Sequence, residues 1–240
     1  MDLIARHIPP PSEAELEEAL RRAVAEANRF GLTGVHDAGA SLKTIQGYRR
    51  AVDDGTLTLR LYVMVDGLGE AFDYFCEHGP LLDYGGRLTV RSVKFYIDGA
   101  LGSRGAALLA DYSDDPGNRG LLRHEPAVFA DMVQRAMKCG FQVNTHAIGD
   151  RGVRVVLDAY EKALRTLGRT VGRHRVEHAQ VVAPEDFARF AELDLIASMQ
   201  PTHATSDMYW AEDRLGPERV RGAYAWRTFL EHGVRLAFGS

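Results

Sequence analysis

The feature that most constrains this chain is an alternation, in which short runs rich in β-branched residues recur between longer amphipathic, charge-rich stretches. Seven such runs predict strands at 34–37, 59–65, 90–97, 142–146, 175–178, 195–200 and 234–238. Helices fill the gaps. The clearest covers 13–30, where Leu16, Ala19, Leu20, Val24 and Ala27 fall at helical spacing and Gly31 supplies the stop. A second covers 150–167, with Asp150 at the N-cap position and Gly168 at the end. Further helices are predicted at 129–138, 184–193 and 218–231. Strand, helix, strand at this repeat length implies a parallel sheet, because parallel neighbours need a crossover and cannot be joined by a tight turn.

An open doubly wound sheet and a closed barrel share that alternation, so the placement of polar residues has to separate them. Lys94, His146, His178 and Gln200 fall at or near the C-terminal ends of four different strands, which is how barrel enzymes build a site. An open sheet gathers its ligand residues at one switch point, often beside a Gly-rich phosphate loop, and the chain has no such loop. The expectation is an α/β chain of (β/α)8 TIM-barrel type. Its 240 residues fit one barrel domain, 1–240. The segment 98–126 breaks the rhythm, being rich in Gly, Asp and Arg. A loop of that length is commonly functional, and it is expected to lie over the active-site face.

Composition removes several function classes. The net charge of −4 gives no basic footprint for nucleic acid. No apolar run approaches the roughly 20 residues that cross a bilayer, and the first residues lack the apolar core of a secretion signal. A cytoplasmic protein without a membrane partner is the expectation. Cys76 and Cys139 lie beside apolar helical residues and are read as buried free thiols.

His146 ends the run FQVNTH and His178 ends the run HRVEH. Two imidazoles ending successive strands can hold one metal ion, because a parallel barrel converges its strand ends; the plainer alternative is two hydrogen-bonded polar residues. Lys94 stands among apolar and aromatic neighbours in VRSVKFYID. Burial disfavours its charge, and a neutral amine can add carbon dioxide to become a carbamate, an oxygen ligand. Pairing with Asp98, or a head group that reaches the rim, is the alternative. Asp98 and Arg104 could hold a substrate carboxylate or orient a ligand, or could pair with each other on the surface. Gln200 and His203, the latter read as a strand-end residue, are candidate substrate contacts, whereas His174 is read as a surface or helix residue.

The segments VKFYIDGALGSRGAAL, VNTHAIGDRGV, HRVEHAQ and ASMQPTHA, in that order, resemble the amidohydrolase superfamily. They are most similar to its branch of predicted metal-dependent hydrolases that includes the N-substituted formamide deformylases, amidohydrolase family 3. The resemblance implies a distorted eight-stranded barrel whose metal ligands are an HxH pair on strand one, a lysine on strand four that is often carboxylated, single histidines on strands five and six, and an aspartate on strand eight. It carries the metal-ligand role to Lys94, His146 and His178, and makes the seven strands of this chain strands two to eight. No HxH pair occurs, and the strand-eight aspartate would follow Ser240. The resemblance therefore implies a chain truncated at both ends, without strand one and the flanking β-domain.

The implied reaction is hydrolysis of a C–N bond in a small amide or formamide-like substrate, by a water activated on zinc or a similar divalent ion, with one or two ions per site. His178 would help polarise the carbonyl and Arg104 would position the substrate. The other reading is a non-catalytic barrel-like binding or interaction module that keeps the family residues. For the 240-residue chain, impaired catalysis and homo-oligomer formation through unclosed strand edges are expected. Full hydrolytic activity would overturn the first, and a monodisperse monomer in size-exclusion chromatography with light scattering the second.

Overall fold

The computed structural model describes residues 7–9, 11–168, 170 and 172–239. The chain divides into two compact units, with the boundary between Arg91 and Ser92. In the first unit, helix α1 (Glu13–Arg29) opens with a capping box, Ser12 accepting the Glu15 N–H while the Glu15 carboxylate takes the Ser12 N–H. Strand β1 (Gly34–Ala40), helix α2 (Leu42–Asp53), strand β2 (Arg60–Asp66) and helix α3 (Glu70–His78) follow. β1 and β2 run parallel from Gly34↔Arg60 to Ala38↔Met64. Strand β3 (Leu81–Tyr84) then turns back antiparallel onto the start of β4 (Leu88–Tyr96), pairing Leu81↔Val90 and Tyr84↔Leu88. β3 has no counterpart in the sequence expectation. Its signal was the pair Gly85 and Gly86, whose φ values of 58° and 69° suit the tight turn closed by the Arg87 N–H to the Tyr84 carbonyl at 3.1 Å.

The second unit continues β4 and adds α4 (Pro126–Lys138), β5 (Gln142–Ala147), α5 (Asp150–Leu167), β6 (Arg175–His178), α6 (Phe187–Glu192), β7 (Ile196–Met199), α7 (Pro201–Asp207), α8 (Ala211–Arg219), α9 (Trp226–Glu231) and β8 (Arg235–Phe238). Strands β4 to β8 lie side by side in chain order, all parallel. All seven predicted strands are present, and the α/β parallel class is the one observed.

The two faces of this sheet differ in chemistry. Val93, Phe95, Val143, Val176 and Ala197 alternate onto the helix side and are fully or almost fully buried. Phe95 meets Phe129 of α4 edge to face at 6.1 Å, and Thr145 shares a 2.8 Å hydrogen bond with Tyr160 of α5. Burial of each large side chain there contributes about 1.5–3 kcal/mol. Ser92, Lys94, Asn144, Arg175, Glu177 and Ser198 share the opposite face and are buried too. That buried polar face carries the candidate chemistry.

Four expectations are corrected. The predicted helix 218–231 is broken: α8 ends at Arg219 and α9 starts at Trp226, because residues 222–224 hydrogen-bond along 180–182, with Val182 N–H to Gly222 O at 3.0 Å and Tyr224 N–H to Gln180 O at 2.9 Å. The N-cap of α5 is Gly149, not Asp150. No cysteine among the described residues is a free thiol, and an apolar sequence neighbourhood carries no information on oxidation state. His174, which resembled a surface residue, is 2% exposed. No helix of the described residues is long and apolar enough to cross a membrane.

His174 sits where a neutral ring is required. Its Nδ1 accepts the Val143 N–H at 3.0 Å, and its Nε2 lies 2.7 Å from Thr170 Oγ1. Burial pushes its pKa down to about 4 from 6.5. Between those values the unfolded chain holds the extra proton, so the contribution is complete above about 6.5 and lost as pH falls towards 4, to an upper bound of about 3 kcal/mol. We expect urea unfolding of the wild type to weaken more between pH 7.5 and 4.5 than that of His174→Gln, by about 2 kcal/mol. Equal pH dependence in the two proteins would refute this assignment.

Candidate functional site

The site begins with Asp98, at the end of β4 and 1% exposed. Its Oδ2 accepts the N–H groups of Ala107 at 3.0 Å and Gly149 at 2.8 Å, and its Oδ1 accepts that of Ile148 at 3.0 Å. The N-cap of α5 has no side-chain cap of its own; the Ala107 carbonyl takes the first-turn N–H groups of Arg151 at 3.1 Å and Gly152 at 3.2 Å, while the Asp98 carboxylate holds the N-cap N–H and meets the positive end of the helix. Two glycines of VNTHAIGDRGV permit the approach. A Cβ on Gly149 would collide with the Ala107 carbonyl, and one on Gly152 with the Asp98 carboxylate.

Asp98 Oδ1 also faces His146 Nε2 at 3.4 Å, and the Gly99 carbonyl lies 3.3 Å from the same nitrogen. Two acceptors place the proton on Nε2 and leave the lone pair of His146 on Nδ1. The ring lies 5.5 Å from that of Tyr96 and 4.7 Å from that of His178, edge to face.

His178 reaches this position against the parity of its strand. It pairs in register with Ala147, on the helix side, whereas His146 pairs with Glu177. The backbone at His178 and Ala179 is left-handed, with φ of 74° and 41°, and this bend of the strand end turns the imidazole towards His146. Gln200, the N-cap residue of α7, accepts from His178 Nδ1 at 2.6 Å through its Oε1. The lone pair therefore sits on Nε2. Burial, then the neighbouring His146 ring and the Lys94 amine, hold the His178 pKa down to about 3, against the opposing Gln200 bond. His178 is neutral at physiological pH, as a ligand nitrogen must be.

Lys94 is 4% exposed, two residues before Tyr96 on the same face of β4. Its Nζ stands 3.7 Å over the Tyr96 ring and 3.4 Å from the Phe95 carbonyl. Tyr96 thus links Lys94 to His146. Sequence reasoning missed it, although its place two residues beyond the lysine was the available signal.

The remaining predicted residues fall in different places. Gln200 contacts His178 and so acts as its orienting partner. His203 lies on helix α7 rather than at a strand end, which corrects that expectation; Pro201 opens a helix directly after β7, and the His203 ring stacks on His178 at 5.5 Å. Arg104 is engaged by Asp114, through Nε at 3.2 Å and Nη2 at 2.9 Å. Any substrate carboxylate would have to share that guanidinium.

Among the described residues, no three His, Cys, Asp or Glu side chains are grouped so as to hold a metal ion. What is present fits part of such a site. Two imidazoles have their lone pairs fixed on chosen nitrogens, and a buried lysine beside them becomes an oxygen donor only as a carbamate.

Comparison with known proteins bears on this partial site. The model of the family described as "Amidohydrolase family" matches residues 1–240. A Bacillus subtilis (strain 168) protein named as an amidohydrolase, YtcJ, is 34% identical over 248 residues, covering 100% of this chain and 45% of its own length. The N-substituted formamide deformylase of Arthrobacter pascens is 28% identical over 228 residues, covering 88% of this chain and 39% of its own. The chain thus spans less than half the length of these relatives. An uncharacterized metal-dependent hydrolase from Pyrococcus horikoshii OT3 has the same fold, with a TM-score of 0.85 at 28% identity over 96% of this chain and 45% of that one.

The buried Asp98 contacts carry a stability prediction. Asp98→Ala strands three buried N–H donors at about 1–3 kcal/mol each, so the unfolding free energy should fall by about 3 kcal/mol or more in denaturant titration. A loss below about 1 kcal/mol would mean that water replaces the carboxylate without cost.

Proposed function

The chain belongs to the amidohydrolase family, and from that premise we propose that it forms the metal-holding part of a hydrolase acting on C–N bonds of small amide or formamide-like molecules. The observation that carries the proposal is the pairing of His146 and His178 at 4.7 Å, with Asp98 and Gln200 fixing opposite tautomers on the two rings. A ligand histidine needs its proton held on one nitrogen so that the other keeps a free lone pair, and both rings meet that condition. A divalent cation, zinc foremost, would be held by His146 Nδ1, His178 Nε2 and a carbamate on Lys94. When bound, the ion supplies Lewis acidity towards a carbonyl and towards water.

The chain's own residues do the rest. Asp98 and Gly99 keep the His146 proton on Nε2, and Gln200 keeps that of His178 on Nδ1. Burial keeps His178 uncharged, so no proton competes for its lone pair near neutral pH. His203, stacked on His178, borders the place where substrate would approach. Arg104 would take a substrate carboxylate only by sharing Asp114's partner edge, which favours neutral substrates over acidic ones.

The test is metal content by inductively coupled plasma mass spectrometry after incubation with excess zinc and desalting, on the wild type and on a His146→Ala, His178→Ala double variant. Retention of zinc by the wild type and its loss from the double variant is expected. A wild type that retains no more zinc than the double variant would sink the proposal.

A further inference from the structure

One buried polar side chain on the site face is left over by everything above. Asn144 is 0% exposed, and neither its Oδ1 nor its Nδ2 has a hydrogen-bond partner. It lies two residues before His146 on β5, on the same face, in register with Lys94 of β4 on one side and Arg175 of β6 on the other. The helix side of β5 is taken by Val143 and Thr145, so Asn144 belongs to the polar face with Lys94 and His146. Burying an amide with donor and acceptor both idle is costly, whereas an apolar residue of similar size would carry no such penalty. An amide at this place is therefore matched to a group that arrives with a ligand or a modification. Of its two register neighbours, Arg175 is already ion-paired with Glu177 at 2.7 Å. The other is Lys94.

We propose that Asn144 is a positioning residue for Lys94: its Nδ2 donates to an oxygen of the carbamate formed on the lysine amine, and fixes the plane in which that group faces His146 and His178. The inference rests on the reading of Lys94 as a carbamate. In the forming step the neutral Nζ lone pair attacks the carbon of carbon dioxide, and the N–C bond forms as one C=O π pair moves onto oxygen. The amine proton passes to water, and nothing is oxidised or reduced. Nδ2–H then meets an anionic oxygen, a charge-assisted bond stronger than one to a neutral acceptor.

The experiment uses the 240-residue chain with excess zinc and 13C-labelled bicarbonate, read by the carbamate 13C resonance, with unfolding of the metal-free proteins measured in parallel. The wild type should give the resonance and Lys94→Met should not. Asn144→Leu and Asn144→Asp should each need about tenfold or more bicarbonate for the same intensity, the aspartate because it keeps the size but has no donor. Metal-free Asn144→Leu should unfold at the wild-type midpoint or above it, which a merely structural asparagine would not allow. A resonance of equal strength in the wild type and both Asn144 variants overturns the role of Asn144 while leaving that of Lys94 intact. Absence of the resonance from the wild type overturns the carbamate reading and this inference with it.

Discussion

The second unit depends on one buried carboxylate. Asp98 gathers backbone donors from the loop at Ala107 and from the β5–α5 connection at Ile148 and Gly149, and it faces the imidazole of His146. A lone carboxylate in a dry interior would be prohibitive, but three N–H groups and the positive end of an 18-residue helix compensate it. The same group thereby closes a loop, meets a helix N-terminus and sets a tautomer. Gly149 and Gly152 serve this carboxylate, since a side chain at either would displace the elements that converge on it.

The second imidazole is placed by backbone geometry. Strand parity sends His178 towards the helices, and a left-handed bend over His178 and Ala179 sends it back. Such conformations cost energy for residues other than glycine and persist where surrounding contacts hold them. Here the contacts come from Gln200, and from Gln180, which is hydrogen-bonded to Asp207 at 3.0 Å and Tyr224 at 3.1 Å. The short helix α7, which starts after Gln200 and ends at Asp207, carries His203. Orientation of the site is thus distributed over β6, β7 and the segment after α8.

The long loop is packed rather than loose. Leu101, Ala106, Leu108 and Tyr112 form an apolar cluster with Ile148, Val181 and Leu215. Asp114 is held between Arg104 and Arg214, and Arg219 donates to the carbonyls of Ala110 and Asp111. Ion pairs this close to solvent are individually weak, yet several sharing one aspartate fix the loop on α8. Arg104 therefore has a structural task that its motif alone did not reveal.

Periodicity along the chain determined every strand but β3, most of the helices and the α/β class, because burial of alternate residues in a strand and of every third or fourth in a helix is a local demand. Residue type and strand-end position were enough to single out Lys94, Asp98, His146, His178 and Gln200. The partners that orient them were not legible. Asp98 was expected to hold a substrate carboxylate or orient a ligand, and Gln200 to contact substrate; in the folded chain Asp98 faces His146 and Gln200 bonds His178, and hydrogen-bond partners 22 to 51 residues away are invisible to local pattern. Tyr96 and Asn144 lie within the segments VKFYIDGALGSRGAAL and VNTHAIGDRGV, yet they acquire meaning only from the register that sets them beside His146 and Lys94. Which groups could do the chemistry was readable from residue type and spacing, because these are properties of the chain. Which nitrogen carries a proton, which carboxylate is shared and which amide is left waiting were decided by tertiary structure alone, because each depends on a distance between residues that the chain keeps far apart.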